Sequence, residues 1–310
     1  MKIAIQNPDF FRHFGATEKK RKKSLDKPTF LDYNIGGYGE KNSHRKVIHM
    51  DKIGLQIYTI RAFTGTPEGL KTSFLNLRKV GYTSVQTAGQ ITDVESAKYY
   101  KECADNAEVA ICGTHFSWDI INSDLEEAMK IHDILGTKNM GIGSMPAGAK
   151  KDEESLLTFI DRVNEIAAQL AKNGFKFTYH NHSFEFKKFG GKTIMDYLID
   201  GFDKNNVSFV LDTYWVQHGG YDVRKMMERL VGRIDILHLK DMGACGGESG
   251  KEPYITEIGN GNINFEDIIP LGEKIGVKDF VVEQDTNFAN GNAFDSITTS
   301  YNYLKSHFMK

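Results

Sequence analysis

Several apolar runs in this chain end in residues that can hold a metal or move a proton. The stretch Phe177-Thr178-Tyr179-His180-Asn181-His182-Ser183-Phe184-Glu185 places two imidazoles and a carboxylate within six residues. Leu211-Asp212, His238-Leu239-Lys240 and Val282-Glu283-Gln284-Asp285 end three later runs in the same manner. Side chains alternate along a strand, so His180 and His182 share one side, as do His238 and Lys240. Mixed imidazole and carboxylate groups suit Mn²⁺, Fe²⁺, Co²⁺ or Zn²⁺ more than Ca²⁺. They also suit proton transfer near neutral pH. No thiolate stands at these run ends, which argues against a purely structural zinc site. Two earlier runs end at Gln86 and His115. A neutral amide such as Gln86 orients a hydroxyl but cannot act as a base. His115 reads as a pocket-lining residue.

These residues need a frame that brings them together. Short apolar runs at 53–58, 82–86, 109–115, 139–143, 175–182, 207–212, 234–240 and 280–283 read as strands. Between and after them, apolar residues at helical spacing mark helices near 67–80, 94–107, 123–135, 153–173, 194–202, 223–230, 265–275 and 294–308. Ser123 with Glu126 reads as the N-cap of the third helix, and Gly174 as the C-cap of the fourth. Eight alternating units predict a parallel sheet closed into a TIM (β/α)8 barrel over residues 53–310. No phosphate-binding glycine fingerprint follows the first strand, which argues against a dinucleotide fold. In such a barrel the site lies at the C-terminal ends of the strands. Asp212, His238, Glu283 and the histidine pair fall there. Adjacent strands lie about 4.8 Å apart, so these side chains can converge on one ion.

Residues 1–52 differ from the rest. A basic run, Lys19-Lys20-Arg21-Lys22-Lys23, and several Pro and Gly breakers replace the periodicity. They read as an N-terminal extension, irregular or partly disordered. The full chain of 310 residues carries a net charge of −2, so it lacks the positive excess of a nucleic-acid binder. No apolar run approaches the ~20 residues of a membrane span, and no apolar signal-peptide core opens the chain. Its three cysteines form no CxxC pair and read as free thiols. The expectation is a cytoplasmic protein without membrane or nucleic-acid partners.

The wording around the strand ends adds to this. Tyr179-His180-Asn181-His182-Ser183-Phe184-Glu185, Leu211-Asp212-Thr213-Tyr214-Trp215, His238-Leu239-Lys240-Asp241-Met242 and Val282-Glu283-Gln284-Asp285 together resemble the sugar phosphate isomerase/epimerase family. These are xylose-isomerase-like TIM barrels, a superfamily that includes inosose dehydratase, the ketose 3-epimerases and endonuclease IV. The resemblance covers about residues 53–308. It implies one divalent ion, Mn²⁺ first, with Mg²⁺, Co²⁺, Fe²⁺ or Zn²⁺ as alternatives. Relatives ligate it with Glu, Asp, His and Glu from strands five to eight. Asp212, His238 and Glu283 match three of these positions. His180 stands where many relatives have glutamate, so His182 or Glu185 competes with it as the first ligand. Gln86 stands where relatives often carry another glutamate.

The resemblance implies an enzyme acting on a sugar or keto-sugar. It is expected to be an isomerase or epimerase that abstracts a proton beside a carbonyl and forms a metal-stabilised enediolate. His182, Glu185 and Glu283 are the candidate proton carriers. His115, Trp215, Lys240 and Gln86 are the candidate substrate contacts, with Trp215 as an apolar face for the ring. The same first step serves a lyase or dehydratase, including a keto-glycoside or C-glycoside cleaving subunit. That alternative brings in a small partner subunit, and a homo-oligomer is also open. An endonuclease IV-like nuclease is disfavoured because Trp215 stands where that enzyme has a histidine. A non-catalytic sugar-binding barrel is the remaining alternative.

Overall fold

A computed structural model describes residues 50, 52–247 and 249–309. The extension expected over residues 1–52 lies almost wholly outside these, so the description concerns the barrel. Its centre is eight parallel strands: β1 Gly54–Gln56, β2 Ser84–Ala88, β3 Ala110–His115, β4 Asn139–Ile142, β5 Lys176–His180, β6 Val207–Asp212, β7 Ile234–Leu239 and β8 Asp279–Val282. Ladders run in the order β3-β2-β1-β8-β7-β6-β5-β4. The two end strands of this order, β3 and β4, meet at a seam. There the Phe116 N–H donates to the Gly141 carbonyl at 2.7 Å. The Gly141 N–H reaches Thr114 Oγ1 at 3.3 Å. A Cβ on Gly141 would lie 2.3 Å from the Thr114 carbonyl, so only glycine lets the strands close here. The sheet is thus a nearly closed TIM barrel.

Eight helices flank it: α1 Pro67–Val80, α2 Val94–Asn106, α3 Leu125–Leu135, α4 Glu153–Lys172, α5 Ile194–Gly201, α6 Val223–Arg229, α7 Phe265–Ile275 and α8 Ala293–Phe308. Each begins on a side chain that accepts a first-turn N–H, in turn Thr66, Asp93, Asp124, Asp152, Thr193, Asp222, Asn264 and Asn292. Such caps satisfy donors that the helix itself cannot, and each contributes about 1 kcal/mol. The strands are buried on both faces, which explains their near-continuous apolar character. Outward residues such as Leu55, Phe177, Phe209 and Leu237 join the helix stripes in one core. Val210, Ile236 and Val281, with Cys112 against them, form a separate cluster.

Four details differ from the sequence reading. The first strand stops at Gln56, and a 3-10 turn, Ile57–Phe63, follows. Ser123 ends a short helix, Trp118–Ser123, and Asp124 caps α3 instead. A further short helix, Thr213–His218, starts directly at the end of β6. The Gly-rich connection after β7 contains an antiparallel hairpin, Asp241–Gly246 with Glu252–Thr256. Glycines at these positions hide a strand signal because the hairpin packs Tyr254 over Gly243 and Gly246.

His132 on α3 braces the seam from outside. Its Nδ1 lies 2.7 Å from the Ala128 carbonyl, which can only accept. Its Nε2 therefore accepts from the Thr114 hydroxyl at 2.8 Å. Burial penalises the charged ring and lowers its pKa to about 4. An unfolded histidine titrates near 6.5, so the unfolded chain binds the extra proton first. This contribution is complete above about pH 6.5 and is lost as pH falls toward 4. We expect urea unfolding to show the stability advantage of the native chain over His132→Gln shrinking by on the order of 3 kcal/mol across that window. A pH-independent difference would contradict it.

Candidate active site

The strand register decides which side chains meet. Asp212 pairs with His238 across β6 and β7. Gln56 pairs with Gln86 across β1 and β2. His180 ends β5, and Glu283 directly follows β8. One ligand atom from each of His180, Asp212, His238 and Glu283 lies within 4.8 Å of the others, and all four residues are buried. His180, and neither His182 nor Glu185, joins the other three.

Both histidines turn a chosen nitrogen toward the carboxylates. His180 Nδ1 is 3.0 Å from the Gly143 carbonyl, an acceptor only, so Nδ1 carries the proton. Its Nε2 then faces Asp212 Oδ2 at 3.4 Å and Glu283 Oε2 at 4.0 Å. His238 Nε2 lies 2.6 Å from Gln86 Oε1. Its Nδ1 faces Glu283 Oε2 at 3.0 Å and Asp212 Oδ2 at 3.6 Å, yet makes no hydrogen bond. When both nitrogens are unprotonated their lone pairs repel the two carboxylates, and a proton on His238 or a metal cation among the four groups relieves that repulsion. The ring nitrogens are held by partners of the type that orient metal-bound histidine. Asp212 is likewise fixed: Asn181 Oδ1 accepts the Asp212 N–H at 3.0 Å. Asp212 Oδ1 accepts the Trp215 N–H at 2.9 Å, which leaves Oδ2 for the cluster.

Protonation follows the same field. Burial opposes a charged His238, but the carboxylates of Glu283 and Asp212 outweigh it and push the ring up to about 9. Burial also opposes ionised Asp212 and Glu283. Lys240 and the histidines overcome that and hold both carboxyls below their usual range. Lys240 is itself buried, with Nζ at 2.6 Å from Asp285 Oδ2, 3.2 Å from Glu283 Oε2 and 3.7 Å from Asp212 Oδ2. Asp212, Glu283 and Asp285 outnumber the single Lys240 ammonium among them, an excess of negative charge that protons or a bound cation would offset. The donor set, two nitrogens and two carboxylates without thiolate, fits such an ion.

A cavity of about 430 Å³ opens over the cluster. His115, His180, His182, Lys240, Glu283 and Asp285 line it, and the exposed Tyr58 ring stands at its rim. Its volume lies in the range of small-molecule sites. The predicted site residues divide on this basis. His115, His182 and Lys240 reach the cavity. Gln86 sits beneath it, fully buried against His238. Trp215 packs behind, 5.4 Å from the His182 ring, with Lys240 Nζ 5.0 Å over its face. Glu185 does not line the cavity. Its oxygens accept from the Tyr179 hydroxyl at 2.7 Å and the His182 N–H at 2.8 Å. Burial raises its pKa to about 8 despite those bonds. Arg61 is exposed, stacks on Tyr58, and ties the turn after β1 to the Asp285 carbonyl at 2.9 Å.

Two participants are not evident in the sequence. Asn181 lies between two histidines and attracts no attention there. Gln56 stands inside an apolar run whose expected end was two residues later, although a lone amide in that run was a signal.

Residues 74–293 match the xylose isomerase-like TIM barrel family, and the chain belongs to it. It is 25% identical over 158 residues to an inosose dehydratase of Clostridium perfringens, a match covering 45% of this chain and 51% of that protein. The chain spans about half the length of the curated relatives it matches. A sugar phosphate isomerase/epimerase from Parabacteroides distasonis shares 25% identity with a TM-score of 0.67, covering 84% of this chain and 96% of that one. A xylose isomerase-like TIM barrel protein from Mycobacterium smegmatis, solved with magnesium, is 13% identical with a TM-score of 0.63, covering 82% and 95%. Among the described residues, no helix is long and apolar enough to cross a membrane.

The geometry predicts one tight Mn²⁺ per chain by isothermal titration after chelator treatment. Asp212→Asn is expected to weaken it at least tenfold while the circular dichroism spectrum stays unchanged. Equal affinity in the variant would contradict the assignment.

Proposed function

We propose that this chain is a divalent-metal-dependent isomerase or epimerase of a sugar or keto-sugar, working by proton transfer beside a carbonyl. The observation that carries this reading is the buried cluster of His180, Asp212, His238 and Glu283 beneath a small-molecule-sized cavity at the C-terminal ends of the strands. These four residues would hold the ion; their mixed nitrogen and oxygen donors suit Mn²⁺, Fe²⁺, Co²⁺ or Zn²⁺, and the family resemblance puts Mn²⁺ first. When bound, a divalent ion supplies Lewis-acid stabilisation of negative charge on substrate oxygen.

The chain's own residues supply the rest. His182 Nδ1 is buried without a hydrogen-bond partner. Burial, with His180 beside it, lowers this ring's pKa to about 3, so it is neutral near pH 7. The neutral ring lines the cavity and is the candidate to receive a proton from a carbon held over the cluster, a role that requires its pKa to rise once substrate is bound. Glu185 acts through it: by accepting the His182 N–H it fixes the backbone that presents the ring. Trp215 limits the ring's movement from the other side. Lys240 is a cationic hydrogen-bond donor in the cavity wall for a substrate oxygen, and the carboxylates around it keep it protonated. His115 and Tyr58 complete the contacts available to hydroxyl groups.

A lyase reading has specific support. Asp285 stands in the cavity wall with its pKa raised by burial and by Glu283, so a protonated Asp285 can donate to a departing hydroxyl. The inosose dehydratase relatives point the same way. Both readings share the first proton transfer.

We expect the Mn²⁺-supplemented protein, offered ketoses, inososes and 3-keto-glycosides in D₂O, to place deuterium on the carbon next to the carbonyl. A rearranged sugar marks the isomerase or epimerase, whereas an unsaturated ketone marks elimination. His182→Ala is expected to slow exchange about 10²–10⁴-fold, the range for removing a general base. Full exchange in a chelator-treated, metal-free sample would contradict the metal-dependent reading.

A further inference from the structure

Gln56 is fully buried at the end of β1, one layer below the cavity. Its Oε1 accepts the Tyr58 main-chain N–H at 3.2 Å. A main-chain N–H can only donate, so this contact fixes which end of the amide is oxygen. The amide nitrogen must then face the opposite way, where it meets two groups. Gln86 Oε1 lies 2.8 Å from Gln56 Nε2. His115 Nδ1 lies 3.2 Å from the same nitrogen. Both must accept, because Gln56 Nε2 can only donate.

Two consequences follow without further assumption. Gln86 is oriented with its oxygen toward Gln56, and the same oxygen lies 2.6 Å from His238 Nε2. That nitrogen therefore carries a proton, and Nδ1 is the one left for the Asp212 and Glu283 side. His115, accepting at Nδ1, carries its proton at Nε2 when the ring is neutral. His115 Nε2 is buried and has no partner among the described residues, in a residue that lines the cavity. A buried donor without a partner costs free energy unless something accepts from it.

We propose that Gln56 is a positioning residue that sets the protonation pattern of two imidazoles from one side chain. Through Gln86 it keeps His238 Nε2 protonated, and directly it makes His115 an N–H donor to a substrate oxygen. The ligand class for His115 is thus a carbonyl or hydroxyl oxygen of the substrate. A metal there is excluded as long as Nε2 is protonated. The second half of this statement rests on the proposed sugar chemistry, but the protonation pattern does not.

The test is long-range ¹H–¹⁵N NMR of the histidine rings in the full chain, recorded without substrate. In the native protein, His115 is expected to be protonated at Nε2 with an accepting Nδ1. Gln56→Glu replaces the donor with an acceptor of nearly the same shape. It is expected to move the His115 proton to Nδ1 and to weaken Mn²⁺ binding about 10–100-fold, as for other groups that orient a ligand histidine. Gln56→Met, which neither donates nor accepts, is expected to give mixed His115 tautomers. This second variant keeps the test open if the first fails to fold. A residue that only packs the core would alter stability and leave the tautomer unchanged. A native His115 protonated at Nδ1, or an unshifted tautomer in a folded variant, would overturn the proposal. Neither readout uses turnover, so failure of the sugar isomerase reading would leave the result interpretable.

Discussion

The barrel's upper layer depends on one electrostatic constraint. Asp212 and Glu283 stand in a dry site, close to each other and to the open nitrogens of His180 and His238. Desolvated like charges at this spacing repel by several kcal/mol. Lys240 offsets part of that charge and is in turn held by Asp285. The remainder draws protons: His238 is pushed upward, and Asp285 is raised above its usual range by burial and by Glu283. A divalent ion removes the same imbalance without those protons. His180 Nδ1–H donates to the Gly143 carbonyl and the Asp212 main-chain N–H donates to Asn181 Oδ1, bonds that hold these two residues in place.

That the fifth strand ends in His180 and not in a carboxylate bears on how that balance is reached. A glutamate at the end of β5 would add a third charge to the ligand group. Here the third carboxylate is Asp285, set apart from the ligands and neutralised by Lys240. Lys240, bonded to Asp285, lies in the cavity wall. Both Lys240 and His182 face the same space over the cluster, which is the arrangement proton movement there requires.

Much of this was legible in the sequence, for a physical reason. Strands buried on both faces are apolar throughout, so a polar residue at an apolar run's end, as at Asp212, His238 and Glu283, stands out. Period-2 alternation placed Lys240 beside His238. What was hidden depends on partners distant in sequence. Glu185 reads by type as a proton carrier, and only the fold places its oxygens on the Tyr179 hydroxyl and the His182 N–H. Asn181 and Gln56 act only through Asp212, Gln86 and His115. The hairpin after β7 was masked by the glycines that admit Tyr254. Asp124 was passed over because Ser123, one residue earlier, offered an equally good cap by type.

Crystallography with Mn²⁺ would show whether the four-residue cluster binds a divalent cation. Anomalous difference density is expected among His180 Nε2, Asp212 Oδ2, His238 Nδ1 and Glu283 Oε2, at full occupancy and with ligand distances near 2.1–2.3 Å, roughly those of other transition-metal sites. Anomalous density only elsewhere, with Lys240 or a proton still balancing Asp212 and Glu283, would contradict the account.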